Sequence, residues 1–203
     1  NIHQKEIVTE VTQSGYQQNY QQIAMQIANC RTFNDWKEVY RKLVHWELEL
    51  SSADSNMTEM LKMQKEEANI GFAKYIAKNY LDWVAPHDKK LNNNFSKLAG
   101  NNKKLTANND ENKPLMSTDI FKNKVFPLID KGEKVFLIVI DNFRLDQWRI
   151  LSKEIGDMFD IEEDLYMTIL PTATQYARNA IFSGLMPKQI ATMFPELWVD
   201  EDE

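Results

Sequence analysis

Along the first part of the chain, apolar residues recur every three or four positions. Tyr16, Tyr20, Ile23 and Ile27 follow one another at intervals of 4, 3 and 4, which predicts one face of an α-helix. A second helix is predicted to start at Thr32, because "TFND" sets Asp35 three residues after a hydroxyl that can cap it. Its stripe runs through Phe33, Trp36, Tyr40, Leu43, Trp46 and Leu50. The stretch "SSADSN" is turn chemistry. A third helix follows, with Met57, Met60, Met63, Ile70, Ala73, Ala77, Tyr80 and Trp83 expected inward, until Pro86 ends it. Short connections between three helices predict an antiparallel bundle over residues 1–86, with Ile23, Ile27, Trp36, Tyr40 and Leu43 in a shared core.

The pattern then breaks. Residues 87–113 hold eight Asn between positions 92 and 112, many Lys and few apolar groups. Asn favours turns and supplies no core, so a linker is expected here. From 114 to 203 the pattern changes again. "STDIFKNKVFPLID" reads as a short helix capped by Ser117 or Thr118, and "EKVFLIVID" as a strand buried on both faces. A helix follows through Phe143, Trp148, Leu151, Ile155 and Phe159, and then a strand in "EEDLYMTIL". The last helix, "TATQYARNAIFSG", is stopped by Gly184 and Pro187. Strand–helix–strand–helix order predicts a parallel sheet. The expected fold class is therefore α plus α/β: a three-helix bundle, then the start of a parallel-sheet α/β domain.

Composition narrows the function. The net charge of −6 argues against a chain that coats nucleic acid or anionic membrane. A single cysteine, Cys30, excludes an internal disulfide and suits a reducing, cytoplasmic setting. No apolar run reaches the roughly 20 residues of a membrane span. His3, His45 and His87 have no partner at a metal-ligand spacing. At helical spacing, the Met and aromatic stripes are core rather than a binding surface. The bundle is expected to connect, space or dimerise.

Chemistry gathers in the second half. Asp141 ends the first apolar run, and Thr172 and Thr174 follow the second. In parallel sheets, ligands bind at these carboxyl ends. Taken singly, each residue could be no more than a helix cap. Together they suit a phosphate. A helix N-terminus offers free N–H groups and positive potential, and Arg178 lies one turn after Thr174. Asn179 adds an amide donor. A metal held by Asp141 against the Thr174 hydroxyl would make that oxygen nucleophilic near neutral pH.

The blocks "IVIDNFRLDQW" and "ILPTATQYARNAIFSGLMP" resemble the start of a PglZ domain, a branch of the alkaline phosphatase superfamily. The resemblance is close to PglZ-domain response regulators of the PorX type. "WKEVYRKLVHWELEL" and "QKEEANIGFAKYIAKNY" are similar to the signalling bundle between receiver and PglZ domain in that family. The resemblance implies a metal-dependent phosphoesterase, phosphodiesters favoured, with two zinc ions in the complete domain. It implies Asp141 as metal ligand, and Thr174 as nucleophile and metal ligand, with Thr172 as the fallback nucleophile. Arg178 would be catalytic, and Asn179 and Thr172 would bind phosphate. It further implies control of type IX secretion through a histidine kinase, with a sigma factor as a further partner. Phosphodiesters or nucleotides are the implied substrates, a homodimer an expected state and a membrane not a partner. No histidine follows Pro187, so the chain is read as an internal piece lacking the receiver and most of the PglZ domain, inactive by itself. The alternative is a non-catalytic signalling or dimerisation module that binds a protein partner or a nucleotide.

Overall fold

The computed structural model describes residues 2–51, 53, 55–84 and 113–198. Helices α1 (Ile2–Asn29), α2 (Phe33–Glu49) and α3 (Ser55–Val84) come first. The later helices are α4 (Phe126–Asp130), α5 (Leu145–Ile155), α6 (Thr174–Ser183) and α7 (Pro187–Met193). The chain divides into two compact units. One comprises Asn1–Tyr80 and Asn142–Glu163, the other Leu81–Asp141 and Asp164–Glu203. Of the expected Asn-rich linker, residues 87–112 lie outside the described residues.

In the first unit, α2 starts as its sequence dictates. Asp35 N–H donates to the Thr32 hydroxyl at 3.2 Å, and Thr32 N–H donates back to Asp35 Oδ2 at 2.8 Å. Both satisfy groups that a helix start leaves orphaned. Arg31 and Thr32 backbone N–H bonds hold the Asp35 carboxyl below its usual range. The three helices alternate in direction. Lys42 reaches Gln26 at 2.8 Å while Trp46 packs on Tyr16 at 5.3 Å, so α2 runs back along α1. Lys65 pairs with Glu47 at 2.6 Å while Phe72 meets Trp36 at 5.5 Å, so α3 runs back along α2.

Their shared core holds Tyr16, Ile23, Ile27, Trp36, Val39, Leu43, Leu50, Met57, Leu61 and Ala68. Two expectations are corrected here. Tyr40 is 48% exposed and lies outside the core. On α3 Met57 and Trp83 are buried as expected, with Leu61, Gln64 and Ala68, whereas Met63, Ile70, Ala73 and Ala77 are exposed. Trp36 accounts for that phase: its ring lies over Gly71, where an added Cβ would come within 2.8 Å of Cη2. Only the helix face that carries the glycine admits the indole.

The second unit corrects the fold class. Among the described residues no β-strand forms, so there is no parallel-sheet α/β domain; the described elements are helical. Residues 135–140 have no regular secondary structure and no ladder partner among the described residues, with Phe136 90% and Ile138 80% exposed. The expected second strand contributes one isolated parallel bridge, Met116 with Met167. Met167 N–H donates to the Leu115 carbonyl at 2.8 Å, and Ser117 N–H to the Met167 carbonyl at 3.2 Å. The physical reason is that hydrophobicity shows only that a segment favours burial, while a strand needs a neighbour's hydrogen-bonding groups. Ser117 and Thr118 are not helix caps either. Met116 takes the N-cap position of the 3-10 turn Ser117–Asp119, and its N–H donates to Asp119 Oδ2 at 3.1 Å. A π-turn over Phe121–Val125 then leads into α4.

Candidate functional site

The approach to α6 is fixed by a buried serine. Ser117 Oγ accepts the Ile169 N–H at 3.2 Å and donates to Thr168 Oγ1 at 3.3 Å. Met116, Ser117, Met167, Ile169 and Ala180 are all buried. The segment just before Thr172 is thus anchored at side chain and backbone together. Beyond α6, Gly184 adopts φ 68°, a left-handed conformation that ends the helix as its N–H returns to the Ala180 carbonyl at 3.0 Å.

The threonines do not cap this helix. Ala173 occupies the N-cap position and offers no side-chain bond; Thr174 is the first helical residue and Thr172 precedes the cap. Thr174 is half-buried and Thr172 exposed. The capping explanation for these hydroxyls therefore falls away, and both remain available for other chemistry. Arg178 is exposed, one turn along α6 from Thr174 and on the same side of it. Asn179 is exposed, and its carbonyl accepts the Ser183 hydroxyl at 2.7 Å.

Asp141 is exposed in a turn of its own and is followed by Asn142 at φ 55°. It is not the cap of α5, whose N-cap is Arg144. Helix α6 brings Thr174 and Arg178 together, but no sheet edge brings Asp141 to them. No group of three His, Cys, Asp or Glu side chains suited to a metal gathers among the described residues. Asp141 and Thr174 by themselves fall short of the four-donor shell of a zinc ion.

One cluster has no forerunner in the sequence patterns. Glu163 sits between Arg149 and Arg41, and the Arg41–Glu163 pair spans 122 residues. No local spacing could announce it.

Residues 6–84 match the PorX response regulator linker domain. Residues 120–203 match the BREX system PglZ alkaline phosphatase-like domain. No curated protein matches the chain. The two matches follow one another along the chain and support a PorX-type regulator with a phosphoesterase-like domain. No helix among the described residues is long and apolar enough to cross a membrane.

Proposed function

We propose that the PglZ part serves a metal-dependent phosphoester hydrolase, phosphodiesters favoured, within a two-component regulator of type IX secretion. Its carrying observation is Thr174, a hydroxyl at the first position of a helix whose cap residue lends no side chain. The helix start presents N–H groups and positive potential to a phosphoryl group, and Arg178 adds a full charge on the same side. Thr174 Oγ would attack phosphorus as the bond to the leaving oxygen breaks, and water would then cleave the threonyl phosphate. Asn179 and Thr172 would hold the remaining phosphoryl oxygens. Zinc and the metal-ligand role of Asp141 enter this proposal on family resemblance alone; zinc would supply Lewis-acid activation. A histidine kinase, a sigma factor and a second copy of the chain are the partners that the same resemblance proposes.

The test is zinc-supplemented hydrolysis of bis(p-nitrophenyl) phosphate by the full-length regulator. Thr174→Val should reduce turnover to background with the melting temperature unchanged, while Thr172→Val, which loses only a contact to a phosphoryl oxygen, should lower turnover without abolishing it. The reverse result would move the nucleophile to Thr172. Because the described donor set is short, a non-catalytic module is the second reading. Zinc binding or partner binding without any turnover would establish it.

A further inference from the structure

Helices α2 and α5 are joined by a carboxylate held between two guanidinium groups. Arg149 Nε donates to Glu163 Oε2 and Arg149 Nη2 to Glu163 Oε1, each at 2.7 Å, a two-pronged fork. Arg41 Nε donates to the same Oε1 at 3.3 Å, and its Nη1 donates to Glu38 at 2.7 Å. These side chains are partly withdrawn from water: Arg41 keeps 23% of its exposure, Glu163 20% and Arg149 32%. The solvent-facing pair Lys62–Glu59 keeps 63% and 62%. Burial alone would raise the Glu163 carboxyl, but the hydrogen bonds and charges of Arg149 and Arg41 outweigh it and lower it.

Two observations make this more than surface decoration. Helix α5 has no fully buried residue, and Ile150 and Leu151 are exposed. Its apolar face, Leu145, Trp148 and Ile155, is only half-buried, so its docking rests on polar contacts as well as packing, which marks an element that can be released locally. The cluster also crosses the family boundary. Arg41 lies in the PorX linker match, Arg149 and Glu163 in the PglZ match, yet all three belong to one compact unit. The chain enters that unit between Asp141 and Asn142 and leaves it after Glu163.

We propose that Arg41, Glu163 and Arg149 form a latch by which the linker helix α2 holds residues 142–163, so that rearrangement of the bundle reaches the turn carrying Asp141. Only the functional meaning of that last step rests on the reading of Asp141 given above; the latch stands on its own geometry. Opening it parts Arg41 from Glu163, leaves Arg41 on Glu38 and Arg149 on Glu163, and leaves the bundle core closed.

Amide hydrogen exchange on the full chain tests it. Glu163→Gln and Arg41→Met should each speed exchange across 145–155 by about tenfold, with the buried stretches of α1 and α3 unchanged. The double variant should be no faster than Glu163→Gln alone, because that change already removes the Arg41–Glu163 ion pair. Raising salt to about 1 M, where screening acts within about 3 Å, should move wild type in the same direction. Unchanged exchange in α5, additive effects, or equal loosening of α1 and α3 would each overturn the latch. If α5 loosens while residues 141–143 do not, transmission to Asp141 is refuted. None of these readouts measures turnover, so the latch and the hydrolase reading fail separately.

Discussion

Single polar groups hold this chain in shape at positions that no local pattern exposes. Ser117 is fully buried, and its hydroxyl serves the backbone of Ile169, 52 residues away. Ser117→Ala should cost about 1–3 kcal/mol in chemical denaturation, because the Ile169 N–H would stay buried without its partner. In the bundle, the Tyr16 hydroxyl donates to Gln64 Oε1 at 3.1 Å, and Gln64 Nε2 donates to the Tyr20 carbonyl at 2.9 Å. Burial, and then the proximity of Tyr20, push the Tyr16 phenol from 10.0 up to about 12. A folded-state value above the unfolded one means that this contribution is complete below the unfolded pKa and is lost as pH rises through the folded one. Denaturant midpoints should therefore fall more steeply between about pH 10 and 12 in wild type than in Tyr16→Phe. Equal slopes would show that the phenol is not buried as described. Sequence spacing placed Tyr16 on the inner face but could not show Gln64 beside it, since a polar residue on a core face reads as an interruption until its partners are known.

At the scale of elements, legibility followed range. The start of α2 could be read because Thr32 and Asp35 are near neighbours whose bonds depend on nothing else. The face of α3 could not, because apolar residues lie on several of its sides and Trp36, on another helix, chooses among them. That choice can be tested. Gly71→Ala would bring a Cβ to 2.8 Å from Trp36 Cη2 and should cost about 1–3 kcal/mol by overpacking. Trp36→Ala should cost about 3–5 kcal/mol by emptying the same space. In the Trp36→Ala background, Gly71→Ala should instead stabilise by up to about 1 kcal/mol, since alanine is the better helix former and the clash is gone. A penalty that persists without the indole would mean that something else fixes the phase of α3. The indole also carries a buried N–H without a hydrogen-bond partner among the described residues. Its ring contacts with Phe72 at 5.5 Å and Tyr75 at 6.2 Å offset that cost.

For the whole molecule, the candidate site divides along the same line. The placing of Thr174 and Arg178 one turn apart follows from helix geometry and was legible. The metal shell proposed at Asp141 would depend on contacts that no spacing in this sequence encodes. The apolar run at 135–140 shows how far such reasoning carries. It was legible as a segment that favours burial, yet Phe136, Leu137, Ile138, Val139 and Ile140 are all exposed. Consecutive exposed apolar side chains on this scale mark a surface that lowers its free energy by meeting another. The 203-residue chain should therefore self-associate as its concentration rises and bind a hydrophobic dye. Replacing Phe136 and Ile138 together by Lys should reduce both effects in sedimentation velocity and dye titration. The same double variant should leave the melting of the bundle within about 0.5 kcal/mol of wild type, because 90% and 80% exposed side chains have little folded contact to lose. A wild-type chain that sediments as a monomer throughout the series would mean that this run is covered in solution. A double variant that loses the fold as well would place Phe136 or Ile138 in a contact made by the monomer itself.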